Sequence, residues 1–142
     1  MPSPRALASL LLATLLAGCA GVPLYQPPGD DQPVAVVTVS DQAAGQGGEG
    51  RWPATAAVFA VDGVRVAEQG GAQQVRLSAG QHSLRVFADH GGRLRFGTLE
   101  CRFDAAANYA ITISQGNGEH AYQAVLGKAG SGVVPILDET TF

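Results

Sequence analysis

The chain has 142 residues, 46% of them apolar and 15% charged, with a formal net charge of −3. That length supports one small hydrophobic core rather than several. The acidic balance counts against a general nucleic-acid binder, and two cysteines are too few for a disulfide-built scaffold.

Arg5 precedes an apolar run from Ala6 to Ala17, which Gly18, Cys19 and Pro23 then interrupt. A membrane-spanning helix needs about 20 apolar residues, so this run is too short for an anchor and reads as a secretory signal. Its end, Leu16-Ala17-Gly18-Cys19, resembles the lipobox of bacterial lipoproteins; the other reading is an ordinary signal peptide with an incidental cysteine. The resemblance implies cleavage after Gly18, a diacylglycerol thioether on Cys19 and acylation of the new amino group. At about 0.8 kcal/mol per buried CH₂, two or more chains hold a protein on its membrane where a single one does so only marginally. In Gram-negative lipoproteins an acidic residue after the cysteine commonly signals inner-membrane retention, so Ala20 implies the outer membrane. Removing residues 1–18, and Arg5 with them, leaves residues 19–142 at a formal charge of −4.

The stretch from Ala20 to Pro33, rich in proline, has little to bury. It reads as a semi-extended tether that, at about 3.1 Å per residue, holds the domain roughly 40 Å from the lipid. Residues 19–33 are then lipidated cysteine and tether, and 34–142 the folded domain. "VAVVTVS", from Val34, is a β-branched strand followed by a Gly/Gln-rich loop. In "VFAVDGVRVA", Asp62-Gly63 fits a two-residue type I′ turn. That turn pairs Val61 with Val64 and Phe59 with Val66, so these four residues are expected on one face. "QQVRLSAGQHSLRVFADH" reads as a second hairpin around Ala79-Gly80, with Val75, Leu77, Leu84, Val86 and Ala88 inward.

In "RLRFGTLECRF" the apolar residues change phase between Leu94 and Phe96 on one side and Leu99, Cys101 and Phe103 on the other. A bulge or break near Gly97-Thr98 is predicted from this. "NYAITIS" alternates Tyr109, Ile111 and Ile113 against small polar residues, "AYQAVL" follows a turn, and "GVVPIL" is a last strand that Pro135 places at an edge. No segment after the signal has a helical period. Short strands spaced by turns predict an all-β fold, a small antiparallel β-sandwich.

Three pieces between Val58 and Ile113 resemble the PEGA-type and related transthyretin-like β-sandwich modules of bacterial envelope proteins. They are Val61-Asp62-Gly63, "VRLSAGQHSLRV" and "FDAAANYAITI", although "SAGQ" stands where PEGA modules usually carry a proline. The resemblance implies a non-catalytic envelope domain used for binding or spacing.

Chemistry is sparse. His82, His90 and His120 are isolated in sequence, so no metal site is expected, and His82 reads as a core-rim residue bonded to a turn. Arg102 sits between Glu100 and Asp104 on one strand side, which argues for a solvated face over a catalytic carboxylate pair. No nucleophile or phosphate-loop motif is present, so neither enzyme activity nor a cofactor is expected. Cys101 alternates with Leu99 and Phe103 and reads as packing.

One asymmetry remains. Arg65, Arg76, Arg85, Arg93, Arg95 and Arg102 stand against three acids in the same stretch, while the rest of the processed chain is strongly acidic. Strand parity points all six away from the expected core. They form either a solvated sheet face or a cationic surface for anionic glycan, lipid head groups or an acidic partner. The expected function is therefore a lipid-anchored envelope interaction or assembly module, with an envelope protein as partner. The alternative is a binder of surface polysaccharide or cell-wall glycan, which exposed aromatic residues near the arginines would favour.

Overall fold

The computed structural model describes residues 21–42, 55–90, 92–118, 121–130 and 136–142. Nine strands follow in order: β1 (Ala35–Asp41), β2 (Thr55–Val61), β3 (Val64–Arg65), β4 (Gln74–Leu77), β5 (Gly80–His90), β6 (Arg93–Phe103), β7 (Asn108–Gln115), β8 (Tyr122–Ala129) and β9 (Ile136–Thr141). They form a five-stranded sheet, β4-β1-β7-β8-β9, packed on a four-stranded sheet, β3-β2-β5-β6. This is the all-β sandwich that the alternating pattern predicts. One pair departs from antiparallel order: β1 runs parallel to β7 from Val36 beside Asn108 to Asp41 beside Ile113. The two strands lie far apart in sequence, so no tight turn dictates their direction.

The core lies between the sheets. Val37, Leu77, Tyr109, Ile111 and Leu126 enter from the larger sheet, and Val58, Val61, Leu84, Leu99 and Phe103 from the smaller, all essentially buried. Burial contributes about 1.5–3 kcal/mol per aliphatic or Phe side chain. No polar or charged residue is buried among the described residues. Tyr109 keeps its ring in the core and its hydroxyl oxygen accepts the Asp104 N–H at 2.7 Å.

Three local expectations change. The stretch around Ala79-Gly80 is not a hairpin: β4 pairs with β1 and β5 with β2 and β6, so residues 78–79 carry the chain from one sheet to the other. The inward set survives because Val75, Leu77, Leu84, Val86 and Ala88 all reach the same core from opposite sides. The irregularity foreseen in β6 lies instead in β2, where the register to β5 shifts between Val58 and Ala60. β6 pairs with β5 without interruption from Arg93 to Phe103. The last strand begins just after Pro135 and forms the edge of the larger sheet.

The segment before β1 is not a free tether. The Tyr25 N–H donates to the Arg65 carbonyl at 2.8 Å, and its hydroxyl donates to the Arg76 carbonyl at 2.8 Å. Arg76 in turn holds Asp30 and donates to the Gly29 carbonyl. Residues 25–30 therefore strap β3 of one sheet to β4 of the other, with Tyr25 packed against the core. Residues 25–30 are therefore not part of an extended tether, because an aromatic ring in a proline-rich stretch found apolar surface to cover. Residues 1–20, on which the expected signal and the lipidation of Cys19 fall, lie outside the described residues.

Candidate aromatic and arginine face

The bulge in β2 builds the site. With Val58 opposite Val86 and Ala60 opposite Arg85, Phe59 is the extra residue. Val58 and Val61 both reach the core, and Phe59 turns to the outer face of the four-stranded sheet. Re-aiming one side chain is what a bulge does. Phe59 therefore leaves the face it was expected to share with Val61, Val64 and Val66. On β5 the outward residues are Arg85, Phe87 and Asp89, and on β6 their partners are Thr98, Phe96 and Leu94. The phase change read in "RLRFGTLECRF" is thus no break. Leu94 and Phe96 are apolar residues on the outer face of a regular strand.

Phe59, Phe87 and Phe96 meet there. Phe59 and Phe96 have centroids 5.1 Å apart at 73°, Phe59 and Phe87 6.5 Å at 87°, and Phe87 and Phe96 6.1 Å at 51°. Each such pair contributes about 0.5–1.5 kcal/mol beyond its burial. The Arg65 guanidinium carbon lies 5.1 Å from the Phe59 centroid, and that of Arg85 lies 4.7 Å from Phe96 and 5.8 Å from Phe59. Arg65 also donates to the Glu68 carbonyl at 2.6 Å. The loop after β3 closes one side. Gly71 lies so near the sheet that a Cβ would stand 2.3 Å from the Val58 carbonyl oxygen and 2.8 Å from Phe87. The Val58–Ala72 backbone bridge holds that loop in place.

Beside the rings is an open pocket of about 260 Å³, lined by Phe59, Gly70, Phe87, Asp89, Leu94 and Phe96. Leu94 is 51% exposed at its rim. Among the described residues, Asp89 brings the one charged group to the lining, and its Oδ1 is buried without a hydrogen-bond partner. The face is therefore polarised along β5, with guanidinium groups at one end, rings in the middle and a carboxylate at the other.

The six arginines do not form one surface. Arg65 and Arg85 share the aromatic face, and Arg102 lies exposed on the same side of β6. Arg93 and Arg95 fall on the core-facing parity of β6 but past the packed region, where both are exposed. Arg76 belongs to the other sheet and is engaged with the strap. Parity within a strand assigned each residue a side but not a sheet, and the unbroken β6 reversed Arg93 and Arg95.

Elsewhere, His82 Nδ1 lies 2.6 Å from Asp62 Oδ2, while its Nε2 lies 2.9 Å from the Ser78 carbonyl oxygen and 3.3 Å from Ser78 Oγ. The nearer carbonyl makes this a staple joining the β2–β3 turn to the sheet crossing, rather than a nucleophile aligned with its base. Burial pushes the Cys101 thiol up, and Asp138 and Asp104 add to it, which keeps the sulfur protonated. Its Sγ contacts the Arg102 carbonyl at 3.3 Å and the residue packs against the core. No cluster of three or more His, Cys, Asp or Glu side chains suited to a metal occurs among the described residues. The chain matches no protein-family model, no curated protein and no solved structure.

Proposed function

We propose that the chain is a lipid-anchored bacterial envelope protein, and that its β-sandwich is a non-catalytic protein-interaction or assembly module. The observation that carries this reading is the outward Phe59, Phe87 and Phe96 cluster with Arg65 and Arg85 stacked on it and Leu94 exposed beside it. Aromatic and arginine side chains are the ones that concentrate at protein interfaces and supply most of their binding energy. The Leu16-Ala17-Gly18-Cys19 motif supports the anchor, with lipid on Cys19, and Ala20 supports the outer membrane. With Tyr25 strapped to the sandwich, the six residues back to Cys19 reach at most about 20 Å, so an anchored domain rests near the bilayer. The PEGA-like resemblance supports the module reading through the Asp62-Gly63 hairpin. Its second piece runs across the two sheets.

The test is in-cell cross-linking of the full tagged chain, followed by mass spectrometry, alongside Phe96→Glu and Arg85→Glu. One reproducible envelope protein, lost in both variants, is the expected result; no specific protein, or capture indifferent to both changes, overturns the module. Palmitate labelling of the parent but not of Cys19→Ser tests the anchor separately. A second reading is favoured by the same rings beside Arg65 and Arg85: sugar faces stack on phenylalanine while guanidinium groups take the acidic groups of a surface or cell-wall glycan. Co-purification of glycan alone, abolished in Arg85→Glu, selects that reading.

A further inference from the structure

We infer that the Asp89 end of this face is a receptor for one cationic side chain, a lysine ammonium or an arginine guanidinium, presented by the protein partner. The occupant rests on the module reading above, whereas the pocket rests on the geometry alone. Three phenylalanine rings, tilted at 51–87° to one another, help line an open pocket of about 260 Å³, and ring faces attract cations electrostatically. Two arginines of this chain already lie against Phe59 and Phe96, so these rings accept guanidinium. The pocket opens at the other end. Its lining includes Asp89 and Leu94 but neither Arg65 nor Arg85, and Arg85 stands four residues of strand away, about 13 Å along β5.

Asp89 gives the sign of the ligand. Its Oδ1 is shielded from solvent and has no hydrogen-bond donor among the described residues. A buried carboxylate oxygen without a donor is costly, and a cation entering beside the rings supplies the opposite charge to this carboxylate. The volume decides the size. Drug-sized ligands occupy about 300–1,000 Å³, so this pocket suits a single side chain and not an extended molecule. Leu94 at the rim covers the aliphatic stem that a lysine or arginine brings with it.

The experiment uses the full chain carrying Cys19→Ser in nonionic detergent micelles, which removes the lipid from the question. Amide NMR shifts are followed at constant ionic strength with n-butylammonium, ethylguanidinium, tetramethylammonium and, as the anionic control, butyrate. Saturable shifts confined to residues near 70, 87–89 and 94–96 are expected with butylammonium or ethylguanidinium. They should weaken about tenfold in Asp89→Asn, which keeps the shape and removes the charge. Phe96→Leu, which keeps apolar bulk but loses the ring face, should weaken them severalfold. No saturable shift, equal affinity in Asp89→Asn, a response to tetramethylammonium alone, or binding of butyrate at the same residues would each overturn the assignment. Failure of the anchored-module reading shows in the cross-linking and palmitate experiments and leaves these titrations unaffected.

Discussion

Asp62 holds two jobs that its place in the turn makes compatible. Its backbone takes a positive φ of 49°, next to Gly63 at 80°, as a type I′ turn requires. Its side chain accepts the Ser83 N–H at 2.8 Å through one oxygen and faces His82 at 2.6 Å through the other. Burial works to raise this carboxyl's pKa, but the Ser83 and His82 bonds outweigh it and hold the group below its ordinary value. A depressed folded-state pKa means that the ionised group stabilises the fold above the ordinary carboxylate range, and that this is lost as pH falls through the folded value. Asp62→Asn keeps the turn conformation and removes the charge. It is expected to lower the melting midpoint by a few degrees at pH 7, with the gap closing below about pH 4. Midpoints of both proteins measured from pH 7 to pH 2.5 check this; a gap independent of pH would rule out the charge as its source.

Two glycines show how elements are brought close, and they differ in what a methyl group would meet. At Gly71 it would meet the Val58 backbone carbonyl, which is fastened in the Val58–Ala72 bridge and cannot turn aside. At Gly97 it would meet the Phe142 ring at 2.5 Å and the Thr140 methyl at 2.8 Å, both side chains of the C-terminal strand region. Gly97→Ala is therefore expected to cost about 1–3 kcal/mol. Gly71→Ala is expected to cost more and to free the loop over Phe87. Urea denaturation of the two variants gives the order, and faster amide exchange at Ala72 in Gly71→Ala alone gives the cause. The same element-level logic governs the faces of β2 and β6. Alternation along one strand identifies two faces, but a bulge in a neighbour, seen only in pairing, decides that Phe59 joins Phe87 and Phe96.

At the scale of the whole molecule, the strap matters most. Tyr25 ties residues before β1 to both sheets through the Arg65 and Arg76 carbonyls. Tyr25→Phe removes one hydroxyl bond and should cost about 1 kcal/mol. Tyr25→Ala also removes the ring and should cost about 2–4 kcal/mol, by the range for large-to-small changes, discounted because Tyr25 is only partly buried. Limited proteolysis separates the two: residues 21–33 should resist cleavage in the parent and in Tyr25→Phe, and be cut readily in Tyr25→Ala. Equal cleavage in all three would mean that the strap is not held by this residue.

Composition, alternation and turn chemistry by themselves determined the all-β class, the two-layer core and most of its members, because burying one side of each strand requires a period of two whatever the strand's neighbours are. The Asp62-Gly63 turn was legible for a similar reason: only a few residues tolerate its φ values. Sheet membership was not legible. Whether Ala79-Gly80 closes a hairpin or crosses between sheets depends on the strands already occupying the edges, and both outcomes bury the same residues. The aromatic face, the dispersal of the six arginines, the parallel β1–β7 pair and the strap all followed from pairing between distant segments. Each depends on which backbone edges meet in space, and that is settled when the whole chain packs.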